Sequence, residues 1–132
     1  MPDFLDWQRY IGGTLDSKDK ASRIRALNLL KDKLTLAPGS LDVGDHSITY
    51  SLIEALANRV VNDPAERCRE LSLTIINECL RDMDPEKVVM TARCIVPAAA
   101  ERFGSQPFRE PVEELRLKCA RMMVSSLYLP NL

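Results

Sequence analysis

Aromatic residues make up only 5% of this sequence, and no Asn-Gly or Asp-Gly pair joins two alternating apolar runs. Strands and tight hairpins depend on such runs and turns, so the strand signal is weak and helical signals dominate. Histidine occurs once, at His46, and the four cysteines (Cys68, Cys79, Cys94, Cys119) form no CxxC pair. A zinc site needs clustered thiolates or imidazoles, so no metal and no other cofactor is expected. Each cysteine falls among apolar residues at helical spacing, the pattern of a small buried hydrophobe kept reduced. A basic excess is missing as well. The 18 Lys and Arg are balanced by 19 Asp and Glu, for a net charge of -1, which argues against a nucleic-acid partner. No apolar run approaches the ~20 residues of a membrane span, and Met1-Pro2-Asp3 lacks the basic and apolar segments of a signal peptide. A cytoplasmic protein with no membrane partner is expected.

What is present is enough apolar material, 45% of 132 residues, for one compact unit. Its periodicity predicts six helices. The first spans about 2–11, with Phe4, Trp7 and Ile11 on one face, and stops at Gly12-Gly13. That face reads as a terminal cap on the second helix, with an anchor for a partner as the alternative, since Trp is enriched in binding hot spots. The second spans about 17–36, with a stripe of Ala21, Ile24, Leu27, Leu30 and Leu34, and breaks at Pro38-Gly39. The third, about 47–61, repeats Ile48, Leu52, Leu56 and Val60. Asn62-Asp63-Pro64 then turns the chain, with Asp63 as cap and Pro64 as first residue of a fourth helix to about 83. This helix carries two stripes, Cys68, Leu71 or Ser72, Ile75, Cys79 and Leu73, Ile76, Leu80, so it packs on more than one neighbour. Asp84-Pro85 opens a fifth helix to about 103, with Pro97 inside it as an expected kink. Pro111 opens a sixth, to about 128, with stripes Leu115, Cys119, Met122 or Met123, Ser126 and Leu117, Ala120, Val124.

Six helices make three antiparallel pairs, and a segment recurs among them. Asp19-Lys-Ala-Ser-Arg-Ile-Arg25, Asp63-Pro-Ala-Glu-Arg-Cys-Arg69 and Glu110-Pro-Val-Glu-Glu-Leu-Arg116 each set an acid six residues before an arginine. The arginines stand 44 and 47 residues apart, a period that suits two-helix units of the HEAT type. The acid can satisfy unpaired N–H groups at a helix start. The planar arginine head, with its several donors, can bridge to the adjacent repeat. Asp19, Arg25, Asp63, Arg69, Glu110 and Arg116 are therefore the candidate structural ladder. The expected architecture is an all-α, right-handed α-α solenoid of about three helical hairpins. It forms a single domain over 1–132, with approximate repeats 1–40, 41–83 and 84–129.

This arrangement resembles the HEAT repeat family, in which a turn Asp, a Val-Arg pair on the second helix and a proline in the first helix recur. Asp63 and Cys68-Arg69 match the turn and the pair, with Cys for Val, and Pro97 matches the kink. Glu110 replaces the turn Asp of the third unit after a longer turn, and the first unit departs most. More narrowly, Asn62-Asp-Pro-Ala-Glu-Arg-Cys-Arg-Glu-Leu71 and Pro111-Val-Glu-Glu-Leu-Arg-Leu117 look like the N-terminal repeats of the HEAT-repeat dynein axonemal assembly factors. That resemblance implies a cytoplasmic, protein-binding helper for preassembly of the dynein arms of motile cilia. Its partners would be dynein chains or co-chaperone assembly factors, and the chain an N-terminal fragment of a longer solenoid. A HEAT-type adaptor in transport or trafficking is the alternative.

No constellation points to catalysis. His46 lies in a polar loop with no nucleophile beside it in sequence, and an enzyme would need it paired with a cysteine in a pocket. Glu113-Glu114 and the Asp82/Asp84 pair suit helix N-termini better than acid/base work. Gly12-Gly13 lacks the rest of a phosphate loop. The expectation is no enzyme. Second helices of such solenoids line the binding side, which makes Arg67, Glu70, Asn77 and Arg81 the candidate protein-binding surface. At the C-terminal end, Leu127, Tyr128, Leu129 and Leu132 form an apolar patch expected to drive self-association or to be bound by a partner.

Overall fold

The computed structural model of the chain describes residues 17–36, 46–104 and 109–127. The expected helix over 2–11, its Phe4, Trp7, Ile11 face, and Tyr128, Leu129 and Leu132 lie outside the described residues. Five helices span the rest: α1 Lys20–Leu36, α2 His46–Asn62, α3 Glu66–Asp82, α4 Pro85–Phe103 and α5 Glu113–Leu127.

The helices stack in two layers. One layer is α1, α3 and α5, each packed on the next, and the other is α2 on α4. A turn of three residues joins α2 to α3, and α2 with α3 and α4 with α5 each pack as a pair. With α1 as the second helix of a preceding unit, this is an all-α solenoid. The strongest test of the sequence pattern is α3. Both of its stripes are buried: Cys68, Leu71, Ser72, Ile75 and Cys79 on one side, Leu73, Ile76 and Leu80 on the other. A helix in the middle of a stack has neighbours on either side as well as a hairpin mate, so few of its turns can be polar all round. In α2, Leu52, Ile53, Leu56 and Val60 join α3 in one continuous core that reaches Val88, Ile95 and Ala99 of α4 and Leu115, Cys119 and Met122 of α5.

Some boundaries differ from the sequence reading. Pro64 and Pro111 do not open helices: α3 begins at Glu66 and α5 at Glu113. The acid before each proline instead accepts the N–H two residues on, Ala65 to Asp63 Oδ1 at 2.9 Å and Val112 to Glu110 Oε2 at 3.2 Å. Each acid thus closes a tight polar turn ahead of the helix. His46 is the first residue of α2 and not a loop residue. The helix α4 runs through Pro97, an exposed residue that has no N–H to donate to the Arg93 carbonyl one turn back. Only the first apolar stripe of α5 is buried; Leu117 and Val124 are 59% and 63% exposed.

Candidate functional site

Two features of the stack carry chemistry: a buried ladder of arginines and carboxylates along the hairpin turns, and an open cleft at the opposite ends of α3 and α5.

The ladder has two nodes. At the first, Arg23 of α1 donates from Nε and Nη2 to both oxygens of Asp63, at 2.9 and 3.1 Å. Arg59, at the end of α2, stands 3.7 Å from the same carboxylate. At the second, Arg69 of α3 donates from Nε and Nη2 to both oxygens of Glu110, at 2.7 and 3.3 Å, and Arg102, at the end of α4, approaches to 3.1 Å. Each turn acid therefore gathers an arginine from the preceding unit, an arginine from its own hairpin and its own turn amide. A third bond fixes each ladder arginine. Its Nη1 donates to the carbonyl six residues before it: Arg23 to Ser17 at 3.0 Å, Arg69 to Asp63 at 3.1 Å, Arg116 to Glu110 at 2.8 Å. Both acids and the arginines Arg23, Arg69 and Arg102 are buried. Such charges are tolerated inside only when paired and hydrogen-bonded. Burial alone would raise the Glu110 pKa. The bonds from Arg69, the Val112 amide and Arg102 outweigh it, and the carboxyl sits below its ordinary value. Paired with Asp63, the Arg23 guanidinium is held still more firmly protonated.

The structure brings Asp63, Arg69 and Glu110 into this network and places Arg116 in line with it. Asp19 and Arg25 require a correction. Asp19 accepts from the Ser22 hydroxyl at 2.7 Å, Arg25 donates to the same Ser22 at 3.1 Å, and both bonds are exposed. The Ser22 contact, aided by the Ala21 and Ser22 amides, keeps the Asp19 carboxyl below its usual range. The ladder position of the first unit belongs to Arg23, and its partner carbonyl to Ser17. Sequence reasoning missed Arg23, Arg59 and Arg102. Arg23 had a signal. Arg23-Leu27-Leu30-Leu34 aligns with Arg69-Leu73-Ile76-Leu80 and with Arg116-Ala120-Met123-Leu127, at offsets of 46 and 47.

The cleft encloses about 680 Å³ between α3, α5 and the start of α4. Leu80, Met83, Pro85 and Val88 provide its apolar lining, and Arg81, Lys118 and Arg121 its cationic rim, against Glu78. Two of the four surface candidates, Asn77 and Arg81, line it. Asn77 donates to the Lys118 carbonyl at 3.4 Å, which ties α3 to α5 beside the cleft. Arg67 and Glu70 lie elsewhere, paired with each other at 2.6 Å on the surface.

Among the described residues, no group of three or more His, Cys, Asp or Glu could hold a metal ion, and no helix is long and apolar enough to cross a membrane. All four cysteines are free thiols, with Cys68, Cys79 and Cys119 buried and Cys94 half-buried. Burial pushes Cys94 and Cys119 up to about 11, which keeps them protonated and poor nucleophiles at neutral pH.

Comparison with known proteins gives a consistent picture. A family described as "Dynein axonemal assembly factor 5-like, TPR repeats" matches residues 14–130. Dynein axonemal assembly factor 5 of Xenopus laevis is 32% identical over 110 residues, which cover 83% of this chain and 12% of that protein. No solved structure matches the chain significantly.

Proposed function

The chain belongs to the dynein axonemal assembly factor 5-like repeat family, and on that premise we propose that it is part of a non-catalytic protein-binding scaffold for the cytoplasmic preassembly of axonemal dynein arms in motile cilia. The family match is the observation that carries this reading. Because the match spans only 12% of the Xenopus laevis relative, the role of the whole protein is carried to this chain as a proposal. Its partners under this reading are dynein chains or the co-chaperone factors that accompany them.

The cleft supports the same reading. An apolar floor flanked by Arg81, Lys118 and Arg121 suits an amphipathic segment that presents carboxylates, since apolar burial gives affinity and the cations give orientation. Arg81 and Arg121 are exposed and outside the ladder, so reversing them leaves the core intact. Affinity purification of the full-length protein from cells building motile cilia, with quantitation of dynein chains, tests the proposal. Wild type should recover dynein chains, and Arg81→Glu with Arg121→Glu should lower that recovery about tenfold or more, with Arg67→Glu as an unaffected control. Recovery of transport or trafficking components with no dynein chain overturns the reading.

A further inference from the structure

The outer face of α5 is apolar where the matching face of α3 is polar. Arg121 and Val124 stand four and seven residues after Leu117, on one side of the helix. Leu117 and Val124 are 59% and 63% exposed. In the ladder register they match Glu70 and Asn77 of α3, which stay half-buried although α5 packs beside them. The side of α3 that stacking covers is a different one, that of Leu73, Ile76 and Leu80. Leu117 and Val124 therefore belong to the face that the stack leaves open. Arg121, between them, is shared with the cleft, whose floor of Leu80, Met83 and Val88 is also apolar. An open apolar surface rimmed by polar groups marks a contact site. Its charge is one-sided. Arg81, Lys118 and Arg121 rim the cleft, and none of the three makes an ion pair among the described residues. The exposed Glu114, three residues before Leu117, puts a negative charge at the other end of the face.

We propose that the open face of α5 and the cleft form one docking surface for an acidic amphipathic α-helix of a partner protein. Its apolar stripe lies on Leu117, Val124 and the cleft floor, and its carboxylates meet Arg81, Lys118 and Arg121. This rests on the reading of the cleft as a partner site and adds the form and the direction of the partner. Seven residues of α5 span about 10.5 Å along the axis. A partner helix meets that spacing with apolar residues at i and i+7. An extended segment does not, because its same-side residues recur about every 6.8 Å. The charges set the direction: carboxylates lie over Arg121, and the end of the partner helix over Glu114 carries none. A second copy of this chain fits less well, since a two-fold contact of α5 with itself brings two Arg121 guanidiniums together.

Selection of the 132-residue chain against a display library of randomised peptides of about 16 residues, enough for four helical turns, tests the proposal. Enriched peptides should be acidic, with apolar residues three, four and seven apart and carboxylates on one flank. As synthetic peptides they should bind in a fluorescence anisotropy titration. Leu117→Ser, Val124→Ser and Arg121→Glu should each weaken that binding about tenfold or more. All three positions are exposed, so the Tm should stay where it is, and Arg67→Glu should change neither. Enrichment of no peptide, or of basic or aperiodic ones, overturns the proposal. So does binding indifferent to Leu117→Ser and Val124→Ser, or self-association of the chain that these substitutions abolish, because that gives the face to a second copy. The dynein reading falls separately. Peptides that bind as stated, with no dynein chain recovered by the full-length protein, leave this surface standing. Dynein recovery that survives Leu117→Ser with Val124→Ser removes the surface alone.

Discussion

Glu110 shows how a single residue can hold two units together. Its side chain is 1% exposed, and a carboxylate in such a place is favoured only by close donors. Arg69, Arg102 and the Val112 amide supply them, and its pKa falls below the ordinary 4.5 as a result. A carboxyl depressed in the folded state adds stability that is complete above its unfolded pKa and is lost as pH falls through the folded value. Denaturant unfolding from pH 7 to pH 3 should therefore show a steep acid loss in wild type. Glu110→Gln should be less stable at pH 7 and lose less on acidification; an unchanged slope would mean that Glu110 contributes nothing to the acid sensitivity. The recurrence of an acid at the turn was legible in the sequence. The identity of all its donors was not, because Arg59 and Arg102 stand four and eight residues before their acids and meet them only where the first helix of each hairpin ends.

At the scale of the helix, apolar periodicity located every described element, while register and exposure needed the neighbours. The acid-x5-arginine pattern fits Asp19 with Arg25 but not the true register two residues earlier, where Ser17 stands in place of the acid, accepting the Asp19 amide on its hydroxyl at 3.2 Å and Arg23 on its carbonyl. The stripe beneath the arginine separates them: only Arg23 stands four, seven and eleven residues before three leucines. The second stripe of α5 illustrates the other gap. In sequence, Leu117 and Val124 read as an apolar stripe with Ala120, but in the ladder register they match Glu70 and Asn77 of α3, which are only half-buried. Leu73→Ala should cost about 2–5 kcal/mol by leaving a cavity in the core. Val124→Ala should change stability by less than about 0.5 kcal/mol. Comparable losses from the two, measured by urea unfolding, would contradict the two-layer packing.

Among the described residues the helices form a stack in which each unit packs chiefly on its neighbours, so its stability is close to a sum of units and of the interfaces between them. Family descriptions name these repeats TPR, whose unit is about 34 residues, yet the ladder arginines recur at 46 and 47 positions, close to the roughly 40–47 residues of HEAT-type units. The longer unit and the arginine–carboxylate bridge between units are what the sequence made readable from recurrence alone. The cleft was not readable, because Leu80, Val88 and Arg121 come from three different helices and are gathered by the stacking.

The central claim is that the repeats are joined through buried arginine–carboxylate nodes, and a double-mutant cycle on Arg69 and Glu110 tests it most directly. Arg69→Ala and Glu110→Ala should each cost about 3–5 kcal/mol, since each leaves a buried charge without its main partner. The double variant should lose clearly less than the sum, with a coupling energy of about 1–3 kcal/mol. Additive losses, with no coupling between the two positions, would contradict the account.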